Sequence, residues 1–418
     1  MDVVRRLRQE GFEALWAGGC VRDQLLGKTP KDYDVASTAT PDEVIRIFGR
    51  RRTVAVGASF GVVMVLGPDK AAGQIEVATF RSDGEYLDGR RPSSVSFCRP
   101  EEDAHRRDFT INGMFFDPLE ERIIDYVGGL EDLAAGLVRA IGDPVARFTE
   151  DKLRMLRAVR FTATFGFALD AATATAVRQL RRQICQVSEE RVTQELKRML
   201  SHSSRSLSFR LLHESGLLAE ILPELFCIFG GTGDSAAVET ICQQLKTVES
   251  DEFETALMLV LLPLRQANVA ARSTVEIDAV CRRLKLSNEE TECICWLADA
   301  ISILDGIRDR PLHILKPLLA HAYSERLLHA SAAIAIAQGR LADDVQFCRD
   351  YLSVINREDL CPAPFLNGQD LMALDVPQGP EFRVLLTTIR NEQLDEILTT
   401  RTAALERLRE LVNARAVG

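Results

Sequence analysis

Two aspartates separated by one tyrosine stand out in "KDYDVAS", residues 31–37. The segment is typical of an extended strand, and side chains two residues apart on a strand project from the same face. Asp32 and Asp34 are therefore predicted to lie side by side. Adjacent carboxylates repel each other unless a cation lies between them, and oxygen ligands of this kind suit Mg²⁺. The alternative for an isolated Asp-x-Asp pattern is a solvated strand edge or turn.

A glycine pair lies shortly upstream, in "LWAGGCVRD" at residues 15–23. The pattern predicts a strand, a turn at Gly18 and Gly19, and a helix that carries Arg22 in its first turn. Backbone N–H groups at a helix start bind anions, and glycines let a phosphate approach closely. Together with the two aspartates, this arrangement predicts a site for a nucleoside triphosphate and its metal ions.

A third carboxylate is expected from "QIEVATF" at residues 74–80. Ile75 and Val77 share one strand face, so Glu76 projects from the other. A carboxylate flanked by apolar positions needs a partner. We predict that Glu76 joins the two aspartates in a two-metal cluster for an in-line displacement at phosphorus. The alternative for Glu76 is a sheet residue held by a salt bridge.

The elements that must position these groups change character along the chain. Up to about residue 137, predicted strands and helices alternate with Gly and Pro between them; beyond that point helical spacing prevails. The predicted fold class is an α/β head with a mixed sheet, followed by an all-α remainder. A length of 418 residues suits several units. Pro and Gly cluster near 141–144, 229–235 and 361–370, which are candidate boundaries.

Composition and charge limit the classes of partner. The hydrophobic fraction of 46% and the charged fraction of 27% are typical of a folded globular protein. The apolar run at residues 256–264 is too short for a membrane span and contains Pro263, so we expect no membrane association and a cytoplasmic location. The net charge is −10, but residues 151–210 hold twelve basic and five acidic side chains. That local excess predicts a nucleic-acid-binding face.

Six segments resemble, in order, the motifs of a known family. They are "GGCVRD", "KDYDVAS", "IEVATFR", "RRDFTING" (106–113), "EDKLRMLRAVRF" (150–161) and "ERVTQELKRML" (190–200). These motifs are similar to those of class II tRNA nucleotidyltransferases and bacterial poly(A) polymerases, which belong to the polymerase β-like nucleotidyltransferase superfamily. The similarity covers roughly residues 12–215. The expected units are a catalytic head at 1–137, a nucleotide-recognition neck at 138–215, a helical body at 216–360 and a helical RNA-binding tail at 361–418.

The resemblance gives a role to the motif "RRDFTING". It implies that Arg107, Asp108 and Asn112 select the ribose 2′-OH and contact phosphate. Asp108 and Asn112 are four residues apart, so they share a face if this segment is helical, and both accept hydrogen bonds. The alternative is that Asp108 caps a helix.

The resemblance also implies that Asp151 and Arg154, three apart on one predicted helix face, read the base. Glu150 would orient the arginine, and Arg157 would also bind the nucleotide. Adenine and cytosine each place an amino donor beside a ring-nitrogen acceptor, so a carboxylate and a guanidinium accept both bases and oppose guanine and uracil. Without the family, the same residues are an exposed ion pair.

The implied activity is Mg²⁺-dependent addition of C, C and A from CTP and ATP to the 3′ end of tRNA, with release of pyrophosphate and no obligatory protein partner evident. An A-adding enzyme of a split system, a poly(A) polymerase and an RNA-binding pseudoenzyme stay open as alternatives. Segment 81–95 resembles a loop that CC-only relatives lack, and segment 54–65 is closer to CCA-adding members than to poly(A) polymerases. None of the six histidines precedes an aspartate, so we expect no HD phosphohydrolase unit.

Overall fold

The computed structural model describes residues 1–57, 61–67, 73–83, 95–228, 235–267, 273–374 and 376–416. The chain divides into two compact units, Met1–Gly233 and Asp234–Gly418. In these residues the first unit begins as mixed α/β structure and continues as helices, and the second is helical. The predicted fold class is confirmed.

Three predictions from the sequence fall partly outside the described residues. Most of the loop at 81–95 does, as do part of segment 54–65 and most of the boundary at 229–235. The division into head, neck, body and tail is finer than the two units and stays a prediction.

Eleven strands lie within the described part of the first unit. They are Ala14–Ala17 (β1), Val35–Ser37 (β2), Thr53–Gly57 (β3), Val62–Leu66 (β4), Gln74–Thr79 (β5), Arg81–Asp83 (β6), Val95–Phe97 (β7), Phe115–Asp117 (β8), Arg122–Ile124 (β9), Leu137–Val138 (β10) and Ala168–Leu169 (β11). Seven of them form one sheet in the order β3-β4-β5-β2-β1-β8-β9. β2 runs parallel to β5 and antiparallel to β1. The start of β2 therefore lies beside the end of β1 and the middle of β5.

The helices of the first unit follow the same chain order. They are Asp2–Gln9 (α1), Gly19–Leu25 (α2), Pro41–Phe48 (α3), Pro100–His105 (α4), Gly129–Ala135 (α5), Pro144–Glu150 (α6), Arg154–Phe165 (α7), Ala171–Leu180 (α8), Glu189–Leu200 (α9), Arg205–Glu214 (α10), Leu217–Ile221 (α11) and Pro223–Ile228 (α12). Short 3₁₀ helices cover Arg50–Arg52, Thr110–Asn112 and Arg181–Gln186.

The head sheet has an apolar core on each face. On one face, β2, β4 and β5 supply valines that alternate with outward residues, and α1 and α3 add Leu7 and Ile47. On the other, Leu15, Phe80 and Phe115 pack together. Each such buried side chain contributes roughly 1.5–3 kcal/mol relative to exposure. These cores hold β2, the central strand that follows Asp32 and Asp34, in a fixed register.

The structure corrects two local predictions. The strand predicted over "DYDVAS" begins only at Val35, so both aspartates lie in the segment before it. Asp151 and Arg154 do not share a helix, because α6 ends at Glu150 and α7 begins at Arg154.

The second unit contains eleven helices within its described residues. They are Ser235–Thr247 (α13), Phe253–Ala267 (α14), Ser273–Arg283 (α15), Asn288–Leu304 (α16), Leu312–Ala320 (α17), Ser324–Ala337 (α18), Asp343–Val354 (α19), Arg357–Leu360 (α20), Gly368–Met372 (α21), Pro380–Leu394 (α22) and Arg401–Ala416 (α23). The apolar run at 256–264 lies in α14, with Pro263 inside the helix. Among the helices described, none combines the length and the apolar character needed to cross a membrane.

Candidate active site

The predicted carboxylates lie where β1, β2 and β5 meet. Val35 of β2 pairs with Val77 of β5, so the residues before them, Asp34 and Glu76, project together from the opposite face. The Asp34 carbonyl accepts a hydrogen bond from the Ala17 N–H group at 3.0 Å. This bond fixes the Asp34 backbone at the end of β1. The register therefore brings two predicted site residues together near the start of β2, the central strand of the sheet.

The charges around Asp34 are unbalanced. Desolvation raises the pKa of Asp34, and the carboxylates of Glu76 and Asp32 raise it further, while Arg107 opposes them. Asp34 is exposed by surface area, so the desolvation comes from protein atoms packed around it and not from full burial. Within the part of the chain that the structure describes, none of the three carboxylates forms an ion pair or a side-chain hydrogen bond. The salt-bridge alternative for Glu76 therefore finds no partner there.

This donor set fits a hard divalent cation, since repelling carboxylates without a bonded counter-charge are stabilised by one. Asp32 and Asp34 are the residues that would hold it. Across the described ranges, no three acidic, histidine or cysteine side chains lie close enough together to surround one ion. In this arrangement Glu76 acts on Asp34 through its charge, and direct metal ligation by Glu76 stays a prediction.

The glycine turn is built for close approach. Gly18 has a positive φ of 73°, a backbone conformation that favours glycine. A Cβ atom at this position would lie 2.8 Å from Nη1 of Arg107. Gly19 then begins α2. Gly18 thus allows the turn to pack against Arg107, the cation that lowers the pKa of Asp34.

Arg22 is buried and already engaged. Its guanidinium donates to Asp23 Oδ1 through Nε at 2.9 Å and to Asn112 Oδ1 through Nη1 at 2.5 Å, and it lies 4.5 Å from the centroid of the Phe165 ring. These contacts join α2 to the segment 108–112 and to α7. All these partners are residues of the protein itself. The role of Arg22 in holding the triphosphate stays a prediction.

The segment 106–112 is held by two buried carboxylates. Asp103 accepts hydrogen bonds from Arg106 on one oxygen and from Arg107 on the other. Asn112 donates through Nδ2 to Asp108 Oδ1 at 3.1 Å. Because its Oδ1 faces a guanidinium and its Nδ2 faces a carboxylate, the chemistry of its neighbours fixes the orientation of the Asn112 amide. The pair predicted to contact ribose is therefore in mutual contact, and Asp108 does not cap a helix.

Asp108 is also bound by Arg157, which donates to Oδ2 through Nε at 2.8 Å. Burial alone would raise the pKa of Asp108, but Arg157, Asn112 and Arg154 lower it to about 2. Burial likewise opposes the charged form of Arg157, yet Asp108, Glu195 and Asp151 raise its pKa. The predicted ribose residues and base-reading residues therefore belong to one electrostatic cluster.

We expect Asp108→Asn to lower the free energy of unfolding by about 2 kcal/mol at neutral pH. The folded pKa of about 2 lies below the ordinary 3.8. The ionised carboxyl therefore stabilises the fold above pH 3.8, and this contribution is lost as the pH falls toward 2. Denaturant unfolding followed by Trp16 fluorescence in a Trp296→Phe background checks the change. The exposed Asp2→Asn variant is the control, and an equal loss in both variants would contradict the account.

The pair predicted to read the base is held by residues on both sides. Arg154 is buried and donates through Nη1 to Glu150 Oε2 at 2.7 Å and through Nη2 to the Arg106 carbonyl at 3.0 Å. Asp151 lies between α6 and α7 and accepts from Arg191 of α9 at 2.8 Å. The two residues thus pair with other partners and not with each other. The alternative of a simple exposed ion pair between them is wrong.

Two supporting residues escaped the sequence prediction. Asp103 precedes Arg106 by three and Arg107 by four residues, the spacing of helical ion pairs, and this signal was available. Glu195 is fully buried and accepts from Arg160 Nε at 2.6 Å and from Arg198 Nη1 at 2.8 Å. Its position three residues after the buried Val192, on the apolar stripe of α9, was the available signal.

The basic segment at 151–210 is less open than its charge implies. At least six of its arginines pair with carboxylates: Arg154, Arg157, Arg160, Arg181, Arg191 and Arg198. Much of the predicted basic face is therefore engaged in ion pairs within the first unit.

Comparison with known proteins identifies related families and structures. Residues 14–139 match the model of the poly A polymerase head domain, and residues 166–228 match a probable RNA and SrmB-binding site of polymerase A. The CCA-adding enzyme of Geobacillus thermodenitrificans is 43% identical over 218 residues, which cover 52% of this chain and 52% of that protein. The chain thus spans about half the length of that relative.

A longer match extends the similarity into the second unit. The CCA-adding enzyme of Enterococcus faecalis is 33% identical over 335 residues, covering 77% of this chain and 73% of that protein. The crystal structure of the Bacillus stearothermophilus CCA-adding enzyme in complex with CTP superimposes with a TM-score of 0.79 at 28% identity, over 99% of this chain and 97% of that one. On these grounds the chain belongs to the family of CCA-adding enzymes and bacterial poly(A) polymerases.

Proposed function

We propose that this protein is an enzyme that adds C, C and A, from CTP and ATP, to the 3′ end of tRNA without a nucleic-acid template and releases pyrophosphate. One observation carries the proposal. One continuous charged cluster joins three groups. They are the unbalanced carboxylates near the start of β2, the segment 106–112, and the pair Asp151 and Arg154. A single bound nucleotide would therefore meet groups for phosphate, sugar and base together.

The base-reading part follows from donor and acceptor order. The remaining lone pairs of Asp151 accept from the exocyclic amino group of cytosine or adenine, and the guanidinium of Arg154 donates to the adjacent ring nitrogen. Guanine and uracil present a carbonyl oxygen and a ring N–H group in those places. The Asp151 carboxylate would then face another acceptor and the Arg154 guanidinium another donor, which costs binding free energy.

Family membership implies use of a divalent cation, and we propose Mg²⁺ held by Asp32 and Asp34. When bound, such a cation lowers the pKa of an attacking hydroxyl and balances charge on phosphate oxygens. The protein's own groups orient the nucleotide so that the RNA 3′-OH attacks its α-phosphate and pyrophosphate leaves. The turn at Gly18 and Gly19 and the start of α2 would hold the triphosphate together with Arg22. A cytoplasmic location belongs to the same proposal, because tRNA and both triphosphates are present there.

The deciding experiment incubates the full chain and Mg²⁺ with three tRNA substrates that end before the first C, after CC and after CCA. CTP and ATP are offered separately and together. Ordered addition of C, C and A followed by arrest is the expected result. Addition of A to the CC-ended substrate alone would replace the proposal with an A-adding enzyme of a split system. Long A tails would replace it with a poly(A) polymerase, a reading that the match to the poly A polymerase head domain favours.

A further inference from the structure

Asp151 is held from two directions. It has an extended backbone, with φ −138° and ψ 105°, between the end of α6 and the start of α7. Its Oδ1 accepts from the Leu153 N–H group at 3.1 Å, two residues along its own loop. Its Oδ2 accepts from Nη2 of Arg191 at 2.8 Å, forty residues away on α9. Without the second bond, only a local turn would fix the plane of the carboxylate.

The two bonds leave the carboxylate with acceptor capacity to spare. An ionised carboxylate has about four acceptor positions, and the described contacts use one on each oxygen. Arg191 and Asp151 are each less than one-fifth exposed, so their bond is partly shielded from water and stronger than a surface pair. Arg191 therefore sets the direction of the lone pairs that remain for a nucleobase.

We propose that Arg191 is a positioning residue for base selection: it holds Asp151 in the orientation that accepts an amino group from adenine or cytosine. This inference rests on the proposed base-reading role of Asp151. It assigns Arg191 no contact with the substrate. Orientation within a fraction of an ångström matters here, because hydrogen-bond selectivity falls steeply with misplacement.

Another residue of α9 has a different task. Glu195 lies one helical turn after Arg191 and pairs with Arg160, and more distantly with Arg157, which holds Asp108. Arg198 pairs with Glu195, is more than half exposed, and has no recorded contact with Asp151. Removing Arg198 therefore deletes the same charge from the same helix and leaves the Asp151 bond in place.

The test measures equilibrium binding of ATP, CTP, GTP and UTP to the full chain with Mg²⁺ and without RNA. In Arg191→Met, the preference for ATP and CTP over GTP and UTP is expected to fall about tenfold. The loss should come from weaker ATP and CTP binding. Arg191→Lys, which keeps one donor and the charge, is expected to restore part of the preference. Arg198→Gln is expected to keep it. Thermal unfolding confirms that each variant is folded, and the Lys variant serves if the Met variant is not.

Equal weakening of all four nucleotides in Arg191→Met would overturn the inference, since it would indicate a contact with phosphate or general support. An unchanged preference would overturn it as well. So would equal binding of all four nucleotides by the unaltered protein, because Asp151 would then read no base. The tRNA experiment could fail while the unaltered protein shows the nucleotide preference and Arg191→Met loses it. That combination would contradict CCA addition and leave this inference standing.

Discussion

Asp34→Asn is expected to reduce nucleotidyl transfer at least about a thousandfold. The amide has the shape of the carboxylate but no negative charge, so it binds a divalent cation poorly. Initial rates of labelled CMP and AMP incorporation into tRNA at saturating Mg²⁺ measure the effect. Transfer at the unaltered rate would remove Asp34 from the site.

The same substitution is expected to leave the fold intact or slightly more stable. The raised pKa of Asp34 means that its ionised form is disfavoured in the folded protein. Near neutral pH the charge thus works against folding, and its removal relieves repulsion from Glu76 and Asp32. The matched control is Asp42→Asn, an exposed carboxylate in α3, which packs on the other face of the sheet. The control is expected to keep full transfer, and lost transfer in both variants would point to misfolding.

Arg154→Met is expected to reduce base selection on the order of a hundredfold, because the proposed charge-assisted hydrogen bond to the ring nitrogen would be lost. The methionine keeps much of the side-chain volume in a buried position. Glu150 is not left alone, since Arg147 still donates to its Oε2 at 2.9 Å. Competition among the four nucleotides at the CC-ended tRNA measures the change, and metal affinity is expected to stay close to that of the unaltered protein.

The control for Arg154 is Arg147→Met. It removes the other arginine that pairs with Glu150 and leaves Arg154 in place. Its loss of stability is expected to be comparable, but it should keep the preference for ATP and CTP. If the two variants blurred base choice to the same degree, the selectivity would come from the packing around Glu150 and not from the guanidinium of Arg154.

The direction of Glu76 could be predicted, because the period of two within one strand sets it opposite to Ile75 and Val77. The parallel pairing that brings Asp34 beside Glu76 joins segments that are distant in the sequence, and no local pattern specifies it. The helix break at Asp151 could not be predicted either, because the apolar periodicity continues across the loop between α6 and α7. The loop is identified only in the structure, where Asp151 accepts hydrogen bonds from its own turn and from α9.

Buried support was harder to foresee. The buried carboxylate of Glu195 is stabilised by Arg160 on another helix, thirty-five residues away, and no spacing rule links the two. The same ion pairs explain why the local excess of basic residues at 151–210 overstated the open basic face. A count of charges cannot tell an arginine that faces solvent from one that neutralises a buried carboxylate.

The length of α9 is constrained more than its composition. Arg191 and Glu195 lie four residues apart and reach partners on different segments. Inserting or deleting one residue between them would rotate one side chain by about 100° relative to the other, so a single shift in length would break at least one of the two attachments. We therefore expect natural variants of this helix to differ by substitution at its exposed positions and to keep this four-residue interval without gaps.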